Sequence, residues 1–171
     1  MKITADTNVL VRAVVRDDEQ QACAAEKLLR EAAIIAVALP SLCEFVWVLR
    51  RGYGLDPADI ATAIRVLLDT TNLVVKRPAA EAGRAMREAV GDFADGVIAH
   101  EGNWLGGETF VSFDGKAVAL PLEQGESAAL LQAPFSDAGT ASRGGMLCSL
   151  QLMLAPSSTT RLPIPEGRIK T

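Results

Sequence analysis

Short apolar, β-prone runs alternate with longer segments of 3.6-residue period from residue 1 to about residue 131. That alternation is the pattern of an α/β domain whose sheet is largely parallel. The runs predict strands at Lys2–Ala5, Ile34–Ala38, Leu73–Val75 and Thr109–Phe113, and helices near 19–31, 41–52, 57–69, 79–89 and 94–103. Ala22, Ala25, Leu28 and Leu29 fall on one helical face, and Ile60, Ile64, Leu67 and Leu68 on another; Val97, Ile98 and Leu105 mark the apolar face of the helix that starts near Asp95. The second face follows a strong start signal, with Asp56 as N-cap, Pro57 at the first helical position and Asp59 in the first turn. Leu42, Phe45, Val46 and Leu49 form a core stripe in "LPSLCEFVWVLRR", and Cys43, Trp47 and Val48 are apolar as well, so this helix reads as buried around most of its circumference. At the N-terminus, "KITADTNVLVRAVV" reads as an apolar run interrupted by Asp6 and Asn8 and resumed at Val9-Leu10-Val11. A carboxylate at such a place must be satisfied by something.

The pattern changes after residue 131. Of residues 132–171, seventeen are Ser, Thr, Gly or Pro and six are charged, which predicts a poorly ordered or loosely docked extension. Its one apolar stretch, "MLCSLQLMLA", is too short to span a bilayer, and no other segment reaches the roughly 18 uninterrupted apolar residues of a membrane helix. No apolar run of signal-peptide length precedes Asp6, so the expectation is a soluble cytoplasmic protein without membrane partners. With 171 residues, 49% of them apolar, the chain can build a real core. The three cysteines, Cys23, Cys43 and Cys148, are scattered, which disfavours a disulfide framework or a paired-cysteine zinc site.

Charge bears on chemistry through its placement. The net charge of −4 argues at first against a nucleic-acid partner. Residues 1–131, however, hold 13 Lys and Arg against 19 Asp and Glu, and five of those acids are Asp6, Glu44, Asp92, Asp95 and Asp114; without them the balance is 13 against 14. Each of these acids has an ordinary reading. Glu44 could pair with Arg50 or Arg51 or sit in a first helical turn, Asp95 could be a plain N-cap, and Asp114-Gly115 could be a turn. Together they recur at the carboxyl ends of predicted strands and the starts of the helices that follow, and in an open parallel sheet those places converge on one edge. An oxygen-only donor set without His or Cys suits Mg²⁺ or Mn²⁺ rather than zinc. Such an ion makes a water nucleophilic and offsets charge on a phosphoryl oxygen, the chemistry of phosphodiester hydrolysis.

Other signals exclude or add little. His100 is the only histidine, so a ribonuclease working through a histidine pair is excluded. Arg50 and Arg51 are candidate RNA contacts as well as a solvated helix end. Arg84 and Arg87 read as a solvated face, with an RNA- or antitoxin-facing surface as the alternative, and Trp47 and Trp104 as packing residues rather than base-stacking platforms.

The motifs "ADTNVLV", "LPSLCEFVWVLRRGYGL", "DFADGVIAH" and "TFVSFDGKAV", in this order and spacing, resemble the PIN-domain family, in particular the VapC-type ribonuclease toxins of bacterial and archaeal type II toxin–antitoxin pairs. The resemblance implies a PIN-like α/β fold, a central mostly parallel β-sheet flanked by α-helices, over residues 1–131. It implies that Asp6, Glu44, Asp95 and Asp114 are the acidic metal-binding positions, with Asp92 an auxiliary acid or a cap, and that Thr7, Asn8 and Ser112 are small polar residues orienting ligands around them. It further implies a Mg²⁺- or Mn²⁺-dependent endoribonuclease, a homodimer, silenced by a cognate antitoxin. These toxins usually stop near residue 131, so the extension over 132–171 departs from the pattern. Two other classes compete: a catalytically silent PIN-like module acting with an antitoxin in promoter repression, and a phosphotransfer enzyme with an aspartate nucleophile on the first strand. The silent module would be favoured by loss of an acid, and all four are present. The phosphotransfer enzyme commonly wants a second acid two residues on, where this chain has Asn8.

Overall fold

The computed structural model describes residues 1–89 and 91–132. The stretch expected as a Ser/Thr/Gly/Pro-rich extension lies, apart from Gln132, outside the described residues, as does Cys148. Parallel strands β1 (Lys2–Thr4), β2 (Ile34–Ala36) and β3 (Leu73–Val74) form one sheet in the order β1-β2-β3. Register pairs Ile3 with Ile35 and Ile35 with Leu73. The intervening chain forms α1 (Thr7–Val15), α2 (Glu19–Glu31), α3 (Leu39–Arg51) and α4 (Pro57–Leu68), followed after β3 by α5 (Arg77–Glu88) and α6 (Phe93–Trp104). Strand β4 (Phe110–Ser112), helix α7 (Gly115–Glu123) and strand β5 (Ala128–Leu130) complete the described chain. Parallel strands joined through helices are what the alternating pattern demands. The core gathers Leu10, Ile35, Leu42, Phe45, Leu49, Ile60, Ile64 and Phe93, all fully buried.

Four of the sequence expectations need correction. First, Val9-Leu10-Val11 belongs to helix α1 and does not resume a strand. Thr7, Leu10 and Val11 are its buried residues, and this i, i+3, i+4 spacing puts them on one face. Asp6 is therefore the exposed, extended N-cap of that helix, and no buried carboxylate needs rescue. Second, β4 and β5 form a separate parallel pair; among the described residues neither bonds to the three-stranded sheet. Helix α7 and strand β5 lie where the pattern gave no element, because α7 is short, carries Pro121 inside it, and buries only Ala117, Val118 and Pro121. Third, α3 is buried on one face only: Leu42, Phe45, Val46 and Leu49 point inward while Glu44, Trp47, Arg50 and Arg51 are exposed. Fourth, α6 buries Phe93, Gly96 and Val97, whereas Ile98 and Leu105, expected on its apolar face, are exposed.

Helices α5 and α6 pack close enough to dictate residue size. A Cβ on Gly96 would lie 2.5 Å from the Ala82 carbonyl oxygen, and one on Gly83 would lie 2.8 Å from the Phe93 ring. The small residue after Asp95 is thus a packing requirement of the helix that carries Asp95. The cap read for α4 is in place, with Asp56 accepting from the Asp59 N–H at 2.9 Å.

A candidate acidic site

Two groups of acids arise from the ends of these elements. The first surrounds Thr7. Asp6 follows β1 and caps α1; Thr7, only 3% exposed, places its hydroxyl 2.7 Å from Glu44 Oε2 and 3.3 Å from the Ser41 carbonyl oxygen. Both Asp6 and Glu44 follow adjacent parallel strands, so both lie at the same sheet edge. Asn8 Nδ2 lies 3.5 Å from Asp6 Oδ2, a long contact.

The second group gathers at the start of α6. Asp92 is the N-cap, accepting from the Ala94 N–H at 3.0 Å through Oδ1, while Oδ2 lies 3.3 Å from Arg50 Nη1. The cap, offered as the ordinary reading of Asp95 and as one of two roles for Asp92, is Asp92's, and Asp95 stands in the first turn. A helix N-terminus favours an ionised carboxylate. Asp95 nevertheless takes up a proton more readily than an ordinary aspartate, chiefly because burial disfavours its charge and then because Asp92 and Asp114 repel it. Asp114 ends β4 and caps α7, accepting from the Lys116 N–H at 2.8 Å; its own N–H donates to Ser112 Oγ at 3.0 Å.

Helix α3 links the two groups. The Asp92 charge reaches Cys43, the neighbour of Glu44, whose thiol is pushed up first by burial and then by Asp92. Arg50 pairs with Asp92 and not with Glu44, which removes the simplest ordinary reading of Glu44. Among the described residues Asp6, Glu44, Asp95 and Asp114 form no ion pair. Arg51 is exposed and likewise forms none.

Two expectations about basic and aromatic residues also change. Arg87 is not on a solvated face: it is 4% exposed, donates from Nη1 to the Gly91 carbonyl at 2.8 Å, and leaves Nε without a hydrogen-bond partner among the described residues. Burial pushes its guanidinium down, with the like charge of Arg50 adding to the effect and Asp92 opposing it. Nothing in the spacing of Arg84 and Arg87 distinguishes them; Arg84 is partly exposed and paired with Glu81 and Glu88. Trp47 and Trp104 are not packing residues, at 61% and 75% exposed. For Trp47 a signal existed, since Leu42, Phe45, Val46 and Leu49 already complete the core stripe of α3 and place it on the opposite side.

The PIN domain family matches residues 3–117, from β1 into α7. This chain belongs to that family. No curated protein matches it. The match spans both acidic groups, and PIN domains are generally metal-dependent nucleases.

Asp6, Glu44, Asp95 and Asp114 offer only carboxylate oxygen, the kind of donor a hard cation takes, and no lysine or arginine pairs with any of them among the described residues. Among the same residues no three His, Cys, Asp or Glu side chains are drawn together tightly enough to cage an ion. Mg²⁺ needs no such cage, because it is held through one or two carboxylates and keeps several of its waters. No helix among the described residues is long and apolar enough to cross a membrane.

Proposed function

We propose that this PIN domain is a Mg²⁺- or Mn²⁺-dependent endoribonuclease and the toxin of a toxin–antitoxin pair, acting in the cytoplasm as a homodimer silenced by its cognate antitoxin. The observation that carries the reading is Asp95, a half-buried carboxylate in the first turn of α6 that feels the charges of Asp92 and Asp114 and forms no ion pair among the described residues. Piling like charge on a half-buried acid costs stability, and that cost has a purpose where a positive partner binds. Of Asp6, Glu44, Asp95 and Asp114, with Asp92 auxiliary, one or two would touch the ion directly and the others would reach it through its waters. When bound, the ion supplies a lowered water pKa and offsets charge developing on the phosphoryl oxygens.

The protein's own part is orientation. Thr7 fixes one oxygen of Glu44, and the other has no side-chain hydrogen-bond partner among the described residues. Ser112 fixes the backbone of Asp114, and the Asp114 cap on α7 holds the rotamer of that carboxylate. Arg50 draws off Asp92, so that Asp95 meets less repulsion than it otherwise would. Small hydroxyl residues in these places position acids without neutralising them, as outer-shell groups of metal sites do.

Incubating total RNA with the purified protein, with Mg²⁺, Mn²⁺ or EDTA, tests the reading. Discrete products are expected with either metal and none with EDTA. Asp6→Asn is expected to abolish cleavage with an unchanged circular dichroism spectrum, because Asp6 is exposed and its side chain bonds no backbone donor of α1. Wild-type cleavage by that variant would sink the assignment. That no three of the acids form one cluster among the described residues favours the second reading, a catalytically silent module that works with an antitoxin in promoter repression, and absence of cleavage under every metal would select it.

A further inference from the structure

Helix α3 turns a face to solvent that its buried stripe does not explain. At about 100° per residue, Glu44, Trp47, Arg50 and Arg51 fall within an arc of roughly 120°, opposite Leu42, Phe45, Val46 and Leu49. All four side chains on this arc are exposed. The acid lies nearest the start of the helix, where Thr7 binds it; Trp47 follows about 4.5 Å along the axis, and Arg51 about 10 Å along it. A 61% exposed indole between a carboxylate and two guanidinium groups adds nothing to the core. Its flat apolar face, with cations one turn beyond, is the combination that receives an unpaired base and the phosphates next to it. Arg50 keeps part of its charge on Asp92 at 3.3 Å, while Arg51 forms no ion pair among the described residues.

We infer that the exposed face of α3 is the track along which single-stranded RNA reaches Glu44, with Trp47 stacking on a base and Arg50 and Arg51 holding the flanking phosphates. The inference rests on the ribonuclease reading for its partner but concerns binding, which is measured apart from cleavage. A hydrophobic contact with a second copy of the chain would call for exposed apolar neighbours one turn to either side of Trp47; the exposed ones there are Glu44, Arg50 and Arg51, all charged, and Cys43 is half-buried.

The experiment is a fluorescence titration of the full chain with a mixed-sequence single-stranded RNA dodecamer in EDTA. A Trp104→Phe background leaves Trp47 the only one of the two tryptophans. Saturable quenching is expected. Trp47→Ala, followed with a dye-labelled dodecamer, is expected to weaken binding by about 5- to 150-fold, the worth of one stacked base, and Trp47→Phe by far less. Arg51→Ala is expected to lower the slope of log affinity against log salt by about 0.7, one phosphate contact on a single strand. No quenching, or equal affinity in Trp47→Ala, overturns the inference. So does a Trp47→Ala chain that becomes monomeric by light scattering while binding RNA as before, which would make the face a contact between copies. If quenching and the Trp47→Ala loss persist in a protein that cuts no RNA under any metal, the nuclease reading fails and this inference stands.

Discussion

Asp95 shows how one residue carries opposing demands. Its place in the first turn of α6 should lower its proton affinity, yet burial and the two neighbouring acids raise it. The sign of the stability effect follows. Folding moves this carboxyl into a place where its ionised form is disfavoured, so at neutral pH the ionised group works against the folded state. Asp95→Asn is therefore expected to raise the melting temperature at pH 7 without added metal. Adding Mg²⁺ should raise the wild-type melting temperature more than that of the variant, by the ordinary linkage of binding to folding. Differential scanning fluorimetry with and without the ion checks both, and a fall in melting temperature in the metal-free variant would contradict the account. The acids themselves were visible in the sequence as candidates. Which of Asp92 and Asp95 caps the helix was not, because both lie within one turn and a three-residue difference in where α6 starts decides it.

At the scale of elements, the pairing of α5 and α6 holds that helix start in place. Gly96 approaches the Ala82 carbonyl and the Gly83 backbone, neither of which is the free end of a flexible side chain. Gly96→Ala is expected to cost about 1–3 kcal/mol by overpacking, more than the helix propensity gained by replacing glycine returns, and to lower the melting temperature by about 5 °C. An unchanged transition by circular dichroism would show that the helices separate freely. Elements with a full apolar stripe and a start signal were the legible ones: α2 begins and ends where its period does, and α4 begins at the expected Pro57. Helix α1 was missed because nine residues with buried Thr7, Leu10 and Val11 offer barely two turns of periodicity, which Ile3-Thr4-Ala5 just before them disguises as a strand. Exposure on α3 was misjudged from composition, where angular position would have placed Trp47 correctly.

For the molecule as a whole, all described elements end by Leu130, and Leu131 donates its N–H to the Ser112 carbonyl at 2.8 Å. We propose that residues 1–131 are the complete nuclease domain. A chain ending at Gln132 is then expected to keep a cooperative transition within about 3 °C of the full chain's, about 1 kcal/mol for a domain of this size, and to keep its metal-dependent cleavage. Aggregation, or loss of the transition, would show that the last 39 residues belong to the fold. The sequence by itself determined the α/β class, the parallel order of strands through helices, the main core stripes and the set of acids, because each is written locally in periodicity, capping residues or uncompensated charge. Tertiary structure alone decided that Thr7 binds Glu44, that Arg50 goes to Asp92, that Arg87 is buried, and that β4 and β5 pair apart from the other three strands. These pairings join residues distant along the chain, 37 positions apart for Thr7 and Glu44 and 42 for Arg50 and Asp92, and no local pattern of polarity specifies which partner a side chain meets across such a separation.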